Sequence, residues 1–255
     1  MPEGVNPPTG SPLPRPDDPF DGVLVVNKPA GPTSHDIVDR IRRRFGIRKV
    51  GHGGTLDPRA TGLLIILLGR GTKLAELFMN SDKVYEGTLR LGVATDSGDA
   101  EGDVIREADP GAVTRDQLEA ELRKRTGDLR QVPPMVSAVK VGGVPLYRRA
   151  RKGQTVEREP RLVHIYEFAL LEFAPPRASF RIRCTKGTYV RALASDIGEA
   201  LGCGAHLESL CRTRSGAIGS EQAAPMDEIM HGGREELRAR ILPLRMFTDT
   251  ERMRF

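Results

Sequence analysis

The 255-residue chain has no tryptophan and only four tyrosines, so an aromatic contact to any ligand can come from few places. It has three cysteines, Cys184, Cys203 and Cys211, which form no CxxC pair and cannot all be bridged. That excludes a disulfide framework and a cysteine-based zinc site, and points to a reducing compartment. No stretch approaches the roughly 18 consecutive apolar residues of a membrane span. The first twenty residues hold seven prolines and no apolar h-region, which argues against a signal peptide. The five histidines show no HExxH or HxxxH spacing and no carboxylate cluster resembles a calcium loop, so neither metal nor cofactor is expected. These absences predict a soluble cytoplasmic protein without a membrane partner.

What is present is positive charge in blocks. The net charge is +5, and Arg40, Arg42, Arg43, Arg44, Arg48 and Lys49 fall within ten residues without one acid. Arg177 to Arg191 adds five cations, again unopposed. Such blocks form either a solvated basic face or a surface for phosphates.

The Pro-rich stretch 1–20 has too little apolar area to offset its ordering entropy and is expected to be a disordered tail. Gly22-Val-Leu-Val-Val26 predicts a buried strand ended by a rigid turn. Ser34 is a good N-cap for a helix whose stripe is Ile37, Val38, Ile41 and Phe45, stopped by Gly46, with Arg40, Arg43 and Arg44 outward. Leu63 to Leu68 is short enough for a strand, and Val84 to Gly92 and Phe180 to Cys184 alternate as half-buried strands do. Thr114 to Arg125 and Tyr189 to Leu201 have helical periodicity. Without a regular βαβ repeat, the expectation is an α+β fold with a mixed, largely antiparallel sheet flanked by helices and loops.

The densest cluster of special residues is Val50-Gly-His-Gly-Gly-Thr-Leu-Asp-Pro-Arg-Ala-Thr-Gly62. It is no P-loop, because Leu63 follows Gly62 where a lysine is needed, and no dinucleotide fingerprint, because Leu56 stands where the third glycine should be. What remains is a tightly turning backbone that presents one carboxylate, Asp57, biased to an extended conformation by Pro58.

This segment resembles the catalytic motif of the bacterial tRNA pseudouridine-55 synthase (TruB) family. The resemblance continues through Asp21 to Ser34, Lys83-Val-Tyr85, Thr95 to Gly102, Gln131 to Ala138, Lys186-Gly-Thr-Tyr-Val-Arg191 and Gly202 to His206, in order and spacing from about residue 21 to 219. Leu210-Cys-Arg-Thr213 departs from the family's usual Leu-Arg-Arg-Thr. By the same resemblance, 21–219 is a catalytic domain with a basic insertion at about 131–161, and 220–255 is a short C-terminal tail without a complete PUA-like RNA-binding domain.

The resemblance implies isomerisation of a uridine in the T-loop of tRNA (position 55) to pseudouridine, by base flipping and an aspartate nucleophile. Asp57 is then the nucleophile, able to attack the sugar C1′ or the uracil C6. Arg191 is its charge partner, and Tyr85 stacks on the target base. Tyr189 and Leu210 wall the uracil pocket, and His52 lies near the place the base vacates. Lys28 and Asp99 organise neighbouring loops. Arg148, Arg149 and Arg151 of the insertion would hold phosphates of the T-arm. The implied partner is tRNA, with a monomer needing no second protein. The competing class is a non-catalytic RNA-binding or RNA-folding module using the same groove, which would have no need of a carboxylate facing phosphates. A guide-RNA-dependent relative is a third reading.

Overall fold

The structure is a computed structural model and describes residues 19–247 apart from 136, 138, 147, 148, 150–152 and 155. The expected tail through residue 18, and Arg148, Arg151 and Lys152 of the insertion, lie outside the described residues.

The two longest apolar runs set the centre. Strands β1 (Gly22–Lys28) and β3 (Thr61–Leu68) pair antiparallel, with Val25 opposite Ile65. Both faces of β3 are buried, which is why its sequence is a continuous apolar run and not an alternating one. Short β2 (Val50–His52) lies beside the far end of β3. The longer alternating strands β4 (Lys83–Leu91), β10 (Arg161–Ala174), β11 (Arg177–Cys184) and β12 (Ala205–Ser215) form the other half. Smaller strands are β5 (Val93–Thr95), β6 (Val104–Glu107), β7 (Gly127–Gln131), β8 (Lys140–Val141), β9 (Val144–Pro145), β13 (Ile218–Gly219) and β14 (Ala224–Pro225). The main sheet runs β14-β1-β3-β12-β4-β11-β10-β7, parallel only at β14/β1 and β3/β12, so it is mixed and largely antiparallel as the sequence implies.

Helix α1 (Ser34–Phe45) buries Ile37, Val38, Ile41 and Phe45 against Leu24, Val26, Leu64 and Ile66. Each such burial contributes roughly 1.5–3 kcal/mol relative to exposure. The N-cap is Thr33, not Ser34: Thr33 and Asp36 exchange hydrogen bonds of 2.8 and 3.1 Å in a capping box. Ser34 is the first helical residue, and its hydroxyl is engaged elsewhere. Arg40, Arg43 and Arg44 face outward, but Arg44 also donates to the carbonyls of Met230 and Gly232, 3.0 Å each. Helices α3 (Arg115–Lys124) and α4 (Val190–Ala200) cover a second cluster with Phe180, Ile182 and Leu207. Tyr85 and Leu210 touch both clusters, which places them in the cleft between them. Helix α2 (Ala75–Asn80) packs Phe78 on the opposite face of β1 and β3.

Two boundaries differ from expectation. Phe20, assigned to the tail, is buried in the α1 cluster, with the Arg234 guanidinium 4.4 Å from its ring centre. The stretch 220–247, expected as a tail, adds β14 to the edge of β1, and α5 (Met226–His231) and α6 (Arg234–Ala239) pack Met226, Ile229 and Leu237 into the core. Its apolar residues are too sparse to show a helical stripe, since each helix has under two turns.

Candidate active site

The loop from β2 to β3 presents Asp57, and nearly every carbonyl in it has a donor. Ser34 Oγ donates to Leu56 O (3.2 Å) and accepts from Leu56 N (2.9 Å). The buried Lys28 ammonium donates to Pro58 O and Ala60 O, 2.7 Å each, and to Pro29 O at 3.0 Å. Gly31 N donates to Pro58 O (2.9 Å), and Ala60 N closes a turn onto Asp57 O (3.1 Å). Arg212, 2% exposed, supplies three more: Nη2 to Gly54 O (3.2 Å), Nη1 to Thr55 O (3.3 Å) and Nε to Leu63 O (2.8 Å). At the loop's end Gly62 has φ +91°, and a Cβ there would lie 2.4 Å from Arg212 O, so only glycine lets β12 approach.

Asp57 sits in a pocket of about 250 Å³ whose walls include Tyr85, Tyr189, Arg191, Leu210 and Arg212. Arg191, in the first turn of α4, is 3% exposed because it lies on the helix's inner face with Val190 and Ala194. Its Nε stands 3.4 Å from Asp57 Oδ2 and 3.8 Å from Asp99 Oδ2, and Nη1 donates to Ser97 O at 3.3 Å. The arginine's inner nitrogen therefore stands within ion-pair distance of two carboxylates. Ser97 Oγ (2.6 Å) and Glu101 N (3.0 Å) in turn donate to Asp99 Oδ1.

The Asp57 side chain is half-exposed, but only along the pocket; protein surrounds it on its other sides. That confinement pushes its carboxyl above the usual carboxylate range; Arg191 and Lys28 pull it back, while Asp99 adds to the rise. Burial lowers Lys28 itself to about 8. Tyr85 lies directly across the strand pair from Arg212, and burial pushes its phenol up despite the guanidinium's opposing pull. The phenol is thus neutral at ordinary pH, an apolar ring face with one polar tip.

Tyr189 is held by its backbone. Gln131, buried at the end of β7, donates to Tyr189 O (3.0 Å) and accepts from Tyr189 N (2.7 Å). The Arg191 guanidinium carbon is 5.8 Å from the Tyr189 ring centre. His52 is the expected site residue that does not line the pocket. It ends β2, opposite Ile66, and its Nδ1 accepts from Gly54 N at 3.4 Å. Burial and Arg212 lower its pKa, so it is a neutral support for the loop.

Sequence reasoning missed Arg212, Lys83 and Gln131 as pocket supports. Lys83 and Gln131 belong to blocks that carry the resemblance and Arg212 to the stretch that departs from it, yet nothing local marks an arginine or lysine as buried until the carbonyls it serves are placed.

The family of TruB pseudouridylate synthases matches in its N-terminal domain over residues 42–190, and the tRNA pseudouridylate synthase B C-terminal domain matches over 191–247. The chain is 48% identical over 225 residues to tRNA pseudouridine synthase B of Opitutus terrae, spanning 88% of this chain and 93% of that one. It belongs to the TruB family. Its identity to the Symbiobacterium thermophilum tRNA pseudouridine synthase B is 50% over 226 residues, 88% of this chain and 74% of that one. Among solved structures it resembles a chain of a Cbf5-Nop10-Gar1 complex, with TM-score 0.70 and 30% identity, over 89% of this chain. It also resembles a chain of an H/ACA ribonucleoprotein bound to a substrate RNA containing 2′-deoxyuridine, with TM-score 0.66 and 27% identity. The present chain spans only 61% and 60% of those two. The C-terminal match includes the stretch 220–247 that the sequence alone suggested as a tail.

Proposed function

We propose that this chain converts a uridine in the T-loop of tRNA, position 55, to pseudouridine, with Asp57 as nucleophile, Arg191 as its charge partner and Tyr85 as the stacking platform. The observation that carries this reading is a single carboxylate fixed on a densely hydrogen-bonded loop, lining a pocket and facing a buried arginine in a chain of the TruB family.

The reaction breaks the C1′–N1 bond, turns the uracil, joins C5 to C1′ and moves the C5 proton off the ring while N1 regains one. Attack of Asp57 at C1′ or at C6 needs the same ionised oxygen, and Arg191 and Lys28 favour that form against confinement. The target base must first leave its stack, at a cost of a few kcal/mol. Stacking on Tyr85, worth ~1–3 kcal/mol, offsets part of that. Leu210 and Tyr189 wall the sides, so the freed uracil can turn without escaping.

A non-catalytic RNA-binding module would gain nothing from a carboxylate whose ionised form is disfavoured by its own pocket and would repel phosphates. The decisive experiment incubates the protein with unmodified tRNA transcript and maps pseudouridine by carbodiimide-dependent primer extension. A stop at position 55 supports the reading; binding without any stop rejects it in favour of the module; a stop only when a guide RNA is added rejects the stand-alone enzyme.

A further inference from the structure

Lys83 is an expensive residue for its place. It is 5% exposed, it lines the pocket beside Tyr85, and its charged amine is withdrawn from water although a leucine there would bury at no electrostatic cost. Its ammonium donates to Phe78 O (2.8 Å), to Met79 O (3.3 Å) and to Ser81 O, carbonyls at and just beyond the end of α2, of which Phe78 O also accepts from Ser81 N. Burial and the neighbouring Arg212 bring it down to about 8, a sign of how strongly the site works against the charge.

What this charge fixes is the outer edge of the pocket. Met79 is 46% exposed, a large apolar side chain left in water, and it lines the pocket mouth. Next to it, Asn80 Oδ1 accepts from Lys186 Nζ at 2.7 Å, so the end of α2 is tied to the loop 185–188 that forms another wall. The lip is thus anchored from below by Lys83 and from the side by Lys186.

We propose that Met79 is a substrate-binding residue, the lip against which the flipped nucleotide packs, and that Lys83 positions it. The proposal rests on the reading that the pocket receives a flipped uridine. A thioether is polarisable and adapts to an aromatic ring edge, which suits a base that must turn while held. Met79 therefore contacts the nucleotide from the solvent side, and Lys83 acts only through α2.

The test uses the full chain and unmodified tRNA transcript, with pseudouridine formation measured across substrate concentration. Wild-type turnover establishes the underlying reading; its absence would fail that reading and this one with it. With wild type active, Met79→Ala is expected to raise KM on the order of tenfold with kcat changed less than about twofold, and Met79→Leu to recover most of the loss. Lys83→Met should raise KM similarly, and the double variant Met79→Ala/Lys83→Met should be no worse than Lys83→Met alone, because both act on one contact. If Lys83→Met does not fold, the Met79 pair decides by itself, since an exposed side chain can be truncated without harm to the core. An unchanged KM in Met79→Ala, or losses that multiply in the double variant, would overturn the proposal.

Discussion

Ser34 holds Leu56 by both of its backbone groups, donating to the carbonyl and accepting from the amide through one hydroxyl. The first turn of α1 and the residue before Asp57 are therefore one rigid unit, 22 positions apart in the chain. Ser34→Ala leaves a buried donor and a buried acceptor unpaired, at about 2–3 kcal/mol. The urea midpoint should fall accordingly, and turnover should fall further than stability accounts for, because Asp57 loses its register. Wild-type turnover in a destabilised variant would show that the loop keeps its shape without this contact.

Asp57→Asn should abolish isomerisation and leave tRNA binding nearly intact. It should also stabilise the fold at neutral pH. A carboxyl whose folded pKa is raised favours the folded state while protonated, and that contribution is lost as pH rises through the folded value. The melting temperature of Asp57→Asn should exceed wild type at pH 7, and the gap should close below the ordinary aspartate pKa of about 3.9. Melting curves at the two pH values check the sign.

Arg191→Lys should lose most activity, because a lysine ammonium cannot stand between Asp57 and Asp99 while donating to Ser97 O. Arg191→Met removes the strongest influence that favours the Asp57 carboxylate, so the acid limb of kcat/KM must move to higher pH. A pH–rate profile with an unmoved limb would separate Arg191 from the titration of Asp57.

Tyr85→Phe should keep more activity than Tyr85→Leu, since the ring face is retained and only the neutral hydroxyl is lost. The reverse order, or a Phe variant that binds RNA and stalls after glycosidic cleavage, would give the hydroxyl a chemical role.

Much of this was legible because it is local. The runs 22–26 and 63–68 declare buried strands, and the stripe Ile37, Val38, Ile41, Phe45 declares the inner face of α1. The cap shifted by one residue because Thr33 and Ser34 are both competent caps, and the Leu56 backbone, distant in sequence, decided between them. Asp57, Arg191, Tyr85, Tyr189 and Leu210 were named through the family resemblance, and the fold brings them to one pocket. Arg212 was hidden because its partners are backbone carbonyls of Gly54, Thr55 and Leu63, atoms with no signature in a sequence. Nothing in the neighbours of His52 tells that its ring turns back onto Gly54.

Strands β3 and β12 meet over just two residue pairs, Thr61 with Cys211 and Gly62 with Arg212. Two blocks of the sheet therefore join at a narrow weld, with Asp57 on one side and Tyr85 and Arg191 on the other, and each is expected to open cooperatively. Amide exchange should divide the molecule along that line, each block opening with its own free energy. Low denaturant would then part Asp57 from Arg191 and Tyr85 while both blocks keep their secondary structure, so catalysis should vanish before the circular dichroism changes. The enzyme's useful stability should then be that of the weld, which Arg212 crosses with three hydrogen bonds.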